Sequence, residues 1–187
     1  MADNSLIAAP LLGGADLSFG DSKVVERDDL ALVSIATPQG GDDALAEALK
    51  SGWSLDTPSP TLSTTSGNIR AIRTSSDQMM LVFPHATPDA NEHVQGKLDG
   101  AGYTTDQTDA WVILEVAGPN AIAALERLCP LDLHDNAFPV GATGRTVMEH
   151  MGTLIVRTGN ECYLLMSASS SAKSFLHAVE TSFHWTA

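Results

Sequence analysis

One pattern occurs twice along the chain. Ala31-Leu32-Val33-Ser34-Ile35-Ala36 is an apolar, β-prone run that turns at Pro38-Gln39-Gly40-Gly41 into a helical stretch, 42–50, and further on Ile72-Arg73-Thr74 precedes Met79-Met80-Leu81-Val82. The second occurrence reads Trp111-Val112-Ile113-Leu114-Glu115-Val116-Ala117, a helical stretch over 119–128, then Val156-Arg157-Thr158 ahead of Tyr163-Leu164-Leu165-Met166. Ala36 and Ala117 are 81 positions apart (117 − 36), and Arg73 and Arg157 are 84 apart (157 − 73). A stacked array needs about three repeats or more, so a single duplication predicts two similar halves packed together instead of a solenoid. The expected class is α+β: in each half an antiparallel sheet carries its helices on one face.

The punctuation of the chain sets expected boundaries. Residues 1–22 mix Ala, Gly, Asp and Ser with the apolar pairs Leu6-Ile7 and Leu11-Leu12, and are expected to form an arm that docks on another surface. Residues 23–108 form the first half and 109–187 the second, in one compact domain overall, with the divide near 100–109. Within the first half, 24–36 has strand character, the Pro-, Ser- and Thr-rich stretch 57–67 reads as loop, Ser75-Ser76-Asp77 marks a hairpin between 69–74 and 78–83, and 89–98 reads as helix. In the second, Cys129-Pro130 ends a helix with Ile122, Leu125 and Leu128 on one stripe. Residues 146–158 and 162–167 read as strands about Gly159-Asn160, and Ser169-Ser170-Ser171 as the cap of a last helix bearing Phe175, Leu176 and Val179.

Composition removes several function classes. A net charge of −13, with only 10 Lys and Arg, argues against nucleic acid, whose affinity comes from cations on phosphates, and against anionic membranes. No apolar run reaches the roughly 18 residues of a membrane span, and the short stretch 7–14 makes a poor signal peptide, so the cytoplasm is the expected location. Cys129 and Cys162 fit no CxxC spacing and are expected to be reduced, partly buried thiols. Neither a GxGxxG nor a Walker-type loop is present, which argues against a nucleotide or flavin site on this chain. Gly141-Ala142-Thr143-Gly144-Arg145 comes nearest to an anion loop, but its spacing suits a turn that puts Arg145 at the surface. His85, His93, His134, His150, His177 and His184 make no HExxH or HxH pair; Asp132, His134 and Asp135 are close enough to be weighed as metal ligands, and solvated loop residues are the favoured reading. No GxSxG elbow marks a nucleophile. The residues therefore nominate no catalytic, cofactor or metal site.

From Leu114-Glu115-Val116-Ala117-Gly118-Pro119-Asn120-Ala121 through Leu125-Glu126-Arg127-Leu128-Cys129-Pro130-Leu131-Asp132-Leu133, the chain resembles the folate-binding fold of the glycine-cleavage T-protein. Within that superfamily, Phe138, Gly141, Arg145-Thr146 and Val156-Arg157-Thr158 extend the likeness to gamma subunits of heterotetrameric sarcosine oxidase, best over 111–179. The resemblance implies a non-catalytic subunit of an enzyme that demethylates sarcosine to glycine, yields hydrogen peroxide and passes the methyl carbon to tetrahydrofolate. It also implies alpha, beta and delta partners, with FAD, FMN, NAD and tetrahydrofolate held on alpha and beta and none here, and self-association when this chain is isolated. Asp132 falls where T-proteins carry a pterin-facing aspartate, and so marks a vestigial folate-pocket position. Two other readings stay open. One is a stand-alone folate-binding protein of the superfamily; the chain shares only Cys162-Tyr163 with the KGCYxGQE signature of its iron–sulfur repair group. The other is a gamma-like subunit of a related N-methyl amino-acid dehydrogenase.

Overall fold

A computed structural model describes residues 9–186. Strands β1 (Asp16–Phe19), β2 (Ser22–Glu26) and β3 (Leu30–Ala36) lead to helix α1 (Asp42–Trp53); β4 (Thr64–Ser66), β5 (Ile69–Arg73) and β6 (Gln78–Pro84) lead to α2 (Ala90–Leu98) and β7 (Tyr103–Asp106). Then come β8 (Trp111–Ala117), α3 (Ala121–Glu126), β9 (Thr143–Met148), β10 (Met151–Gly159), β11 (Cys162–Ala168) and α4 (Ala172–His184). They build two antiparallel sheets, ordered β4-β5-β6-β3-β7 and β1-β2-β8-β11-β10-β9. The duplication extends to register. Ile35 lies opposite Met79, and Val116 and Tyr163, 81 and 84 positions further on, lie opposite each other. Arg73 faces Met79 across β5 and β6 as Arg157 faces Tyr163 across β10 and β11.

Packing explains why the strands read as unbroken apolar runs and not as alternating ones: both faces of each sheet are covered. Period two sends Ala31, Val33 and Ile35 of β3 to a core shared with Leu45 and Leu49 of α1 and Val94 and Leu98 of α2. Leu30 and Leu32 point the other way, where with Ile72, Met80 and Val82 they meet Ile113, Leu154, Val156, Leu164 and Met166 of the second sheet. The far face of that sheet is covered by α3 and α4 through Leu125, Phe175, Val179 and Phe183. The order of layers is helices, sheet, sheet, helices. One flank is also stitched by backbone bonds, Ser63 N to Gly141 O at 2.8 Å and Thr143 N to Thr61 O at 2.9 Å.

An arginine repeats with the strands. Arg157 is 3 % exposed and donates to the carbonyls of Phe138 (2.9 Å) and Gly159 (3.3 Å); Arg73 donates to those of Pro58 (3.0 Å) and Ser76 (2.7 Å). Each thus clamps the loop that precedes the edge strand of its own half. Arg157 adds an ion pair to Asp135 at 2.6 Å and sits 5.7 Å from the Tyr163 ring.

Several expectations are corrected. The stretch 24–36 is two strands on different sheets, because 27–29 turn and β2 pairs with β8, carrying residues 22–26 out of the first half and into the second half's sheet. Leu6 and Ile7 lie outside the described residues. The rest of the arm docks as expected, but on this chain's own second half: β1 pairs with β2, Leu12 packs on the core, and the buried Glu26 carboxylate accepts the N–H groups of Leu12, Gly14 and Ala15 at 2.9, 2.8 and 3.3 Å. The run 146–158 is a hairpin folded at Glu149 and His150, both in the left-handed region (φ 45° and 71°), a turn that lacks the Asn-Gly by which it would be recognised. Strand β4 lies in the presumed loop 57–67, β7 in the presumed divide, and no side chain caps α4.

Candidate functional site

The strands of the two sheets end together in a cleft of about 390 Å³. The β4–β5 hairpin forms one wall with Thr65, Asn68 and Arg70, while Glu115 of β8 and Thr158 of β10 stand opposite. Its floor is the margin of the inter-sheet core: Leu30, Val82 and Leu164, at 8, 3 and 6 % exposure. Two guanidinium groups reach it. Arg27, in the turn before β3, has its charge answered on two sides, by Asp29 through paired bonds of 2.7 and 2.8 Å and by Glu115 at 2.6 Å. These bonds raise the Arg27 pKa, and the Arg27 fork holds the Asp29 carboxyl below the usual carboxylate range. Arg70 differs. It shares the parity of Ile72 on β5 and so faces the second sheet, yet among the described residues it has no acidic partner. Among the described residues its one side-chain hydrogen bond runs from Nη1 to Ser63 Oγ at 2.6 Å, and burial pushes its pKa down.

The residues singled out in the sequence lie elsewhere. Asp132 is exposed on the loop after α3, where its carboxylate accepts the backbone N–H of His134 at 3.1 Å, and it lines none of the described cavities. Asp135 is committed to Arg157, and His134 lies 3.9 Å from Glu126. Among the described residues no three His, Cys, Asp or Glu side chains are grouped to hold a metal. Residues 141–145 are a turn and strand start whose amides serve the fold: Gly141 N donates to Arg157 O, Ala142 N to Pro139 O and Thr143 N to Thr61 O, so the loop cannot cradle an anion, and Arg145 is exposed. His85 binds Asp89 at 2.8 Å and lies 5.4 Å from the His93 ring; the Thr87 hydroxyl, then His85, lower the Asp89 pKa. Both cysteines are free; Cys129 is buried, which raises its pKa, and Cys162 Sγ accepts the Thr158 hydroxyl at 3.2 Å. Sequence reasoning missed Arg27, Arg70 and Glu115. The available signal was the placement of Arg70 in the otherwise apolar alternation of Ile69-Arg70-Ala71-Ile72.

No family model matches the chain. A curated protein of Corynebacterium sp. (strain P-1), sarcosine oxidase subunit gamma, is 28 % identical over 141 residues, 74 % of this chain and 67 % of that one. The chain is similar to sarcosine oxidase gamma subunits. Those of an Arthrobacter species and of Corynebacterium sp. (strain U-96) are 29 and 26 % identical over 48 and 52 % of this chain, and over 44 and 48 % of their own lengths. The matched stretch therefore spans about half to two thirds of these curated relatives. Among solved structures, heterotetrameric sarcosine oxidase from Corynebacterium sp. U-96 has a chain that superposes with a TM-score of 0.78 at 20 % identity, covering 91 % of this chain and 87 % of that one. The glycine cleavage aminomethyltransferase T of Bartonella henselae matches with a TM-score of 0.61 at 14 % identity, over 85 % of this chain and 45 % of that one. Both likenesses establish the fold.

Proposed function

We propose that this chain is the gamma subunit of a bacterial heterotetrameric sarcosine oxidase, built of an N-terminal arm and two like halves, and that it contributes structure and not chemistry. The parent enzyme demethylates sarcosine to glycine in the cytoplasm, produces hydrogen peroxide and hands the one-carbon unit to tetrahydrofolate, with FAD, FMN, NAD and the folate on the alpha and beta chains and delta completing the assembly. The observation that carries this reading is the 28 % identity over 141 residues to a gamma subunit. It is supported by side chains that serve folding: Asp135 and Arg157 hold each other, and the amides of 141–143 bond within the protein. Asp132, exposed and bonded to its own loop, is assigned no role in the reaction.

Co-expression with the alpha, beta and delta chains encoded alongside tests it. The four should co-elute on gel filtration and form peroxide from sarcosine, whereas this chain alone should be colourless and inactive. A stable monomer that ignores those chains and oxidises sarcosine unaided refutes the proposal. A complex that reduces an artificial acceptor with another N-methyl amino acid, without peroxide, reassigns the chain to a related dehydrogenase.

A further inference from the structure

The inter-sheet cleft carries a feature that a purely structural subunit does not need. The chain has 23 acidic residues against 10 Lys and Arg, so acidic partners for a half-buried arginine are plentiful. Arg27 has two of them, and Arg157 is paired to Asp135. Arg70 has none among the described residues and uses one donor, toward Ser63. A guanidinium presents five N–H donors in a rigid fork that matches a carboxylate. The rest of that fork opens on a cleft whose hydroxyl and amide side chains, Thr65, Asn68 and Thr158, add neutral polar groups, and whose floor is Leu30, Val82 and Leu164. Its volume of about 390 Å³ falls within the usual size of small-molecule sites.

We infer that this cleft binds a small monocarboxylate with an apolar body, its carboxylate on the Arg70 fork and its body over Leu30, Val82 and Leu164. Charge selects the monoanion. Arg27 is answered by two carboxylates, Asp29 and Glu115, so with Arg70 the four charges sum to zero, and Arg70 is the one guanidinium of the cleft without a carboxylate of its own among the described residues. A single negative charge completes that pairing, whereas a dianion such as phosphate leaves an excess negative charge near Glu115. The attraction of a bound carboxylate would offset the desolvation that now lowers the Arg70 pKa.

The test titrates the full-length chain with benzoate, benzamide and inorganic phosphate while recording 1H–15N spectra, including the arginine side-chain N–H resonances. Benzoate should move resonances of 65–70 and 158 saturably, with benzamide and phosphate each weaker by about tenfold or more, the factor that 1.4 kcal/mol represents. Arg70→Gln should weaken benzoate by at least the same factor, and Arg70→Lys, which keeps the charge without the fork, should fall between. Should Arg70→Gln not fold, the wild-type comparison of benzoate with benzamide and the lysine variant decide. Equal binding of benzoate and benzamide, unchanged binding by either folded variant, or no movement up to the solubility limit of sodium benzoate would overturn the inference.

Discussion

The duplicated arginine clamp allows one perturbation to be predicted in magnitude, because the two copies differ in burial while sharing a task. In Arg157→Ala, the buried Phe138 carbonyl loses its side-chain donor at 2.9 Å and Gly159 loses a donor at 3.3 Å. A hydrogen bond from a charged group contributes about 1.5 to 3 kcal/mol, and the upper end applies to a buried acceptor. The ion pair adds less than about 1 kcal/mol, since Asp135 is 81 % exposed, and the Tyr163 ring adds about as much. Taking about 3 kcal/mol for the Phe138 bond, about 1.5 for the Gly159 bond and a few tenths for each of the others, the sum is about 5 kcal/mol, or roughly 10 to 20 °C in Tm for a chain of this size. Arg73→Ala removes bonds of 3.0 and 2.7 Å in a half-exposed setting without an ion pair, so at the lower end of that range for each bond it should cost about 3 kcal/mol. Urea unfolding followed by the fluorescence of Trp53, Trp111 and Trp185 measures both variants against the parent. Equal losses, or a loss near 1 kcal/mol for Arg157→Ala, would refute the argument that burial sets the strength of the clamp.

Three further outcomes are expected. Because Arg27 lowers the Asp29 pKa, this pair contributes stability that is complete above about pH 3.9 and is lost as pH falls through the lower folded-state value; NMR titration should find Asp29 below the usual aspartate, and Arg27→Gln should return it. Gly118 holds φ +116° with the Asp21 carbonyl and Ser22 Cα 2.6 Å from where a Cβ would lie, so Gly118→Ala should cost about 3 kcal/mol, whereas Gly96→Ala, in open space within α2, should stabilise by about 0.5 to 1 kcal/mol; thermal melts compare them. Replacing the left-handed Glu149 and His150 together by Asn-Gly should raise stability by about 1 kcal/mol in the same assay.

The expected fold class agrees with the architecture and with the solved structures it resembles. The duplication was legible in the sequence because strands covered on both faces must be apolar at nearly every position, and such runs stand out: residues 31–36 and 111–117 announced β3 and β8, and the constant offset announced two like halves. Helix ends were legible where the dipole is matched, with Asp42 and Asp43 opening α1 and Lys50 near its end. The Glu149-His150 turn was not, since neither residue favours the left-handed backbone and only the pairing of β9 with β10 holds them there. Nor was the placement of β2, a short segment that could extend either sheet by its pattern alone and joins the second half only because β8 offers it a free edge. The cleft depended most of all on tertiary structure. Arg70 and Arg27 are 43 positions apart (70 − 27), and Glu115 and Thr158 belong to the other half of the chain. Hydrophobic spacing specifies which face of each strand is buried, but whether an arginine at a strand end finds a carboxylate or an open cleft depends on how two sheets meet, a contact between distant segments that no local pattern encodes.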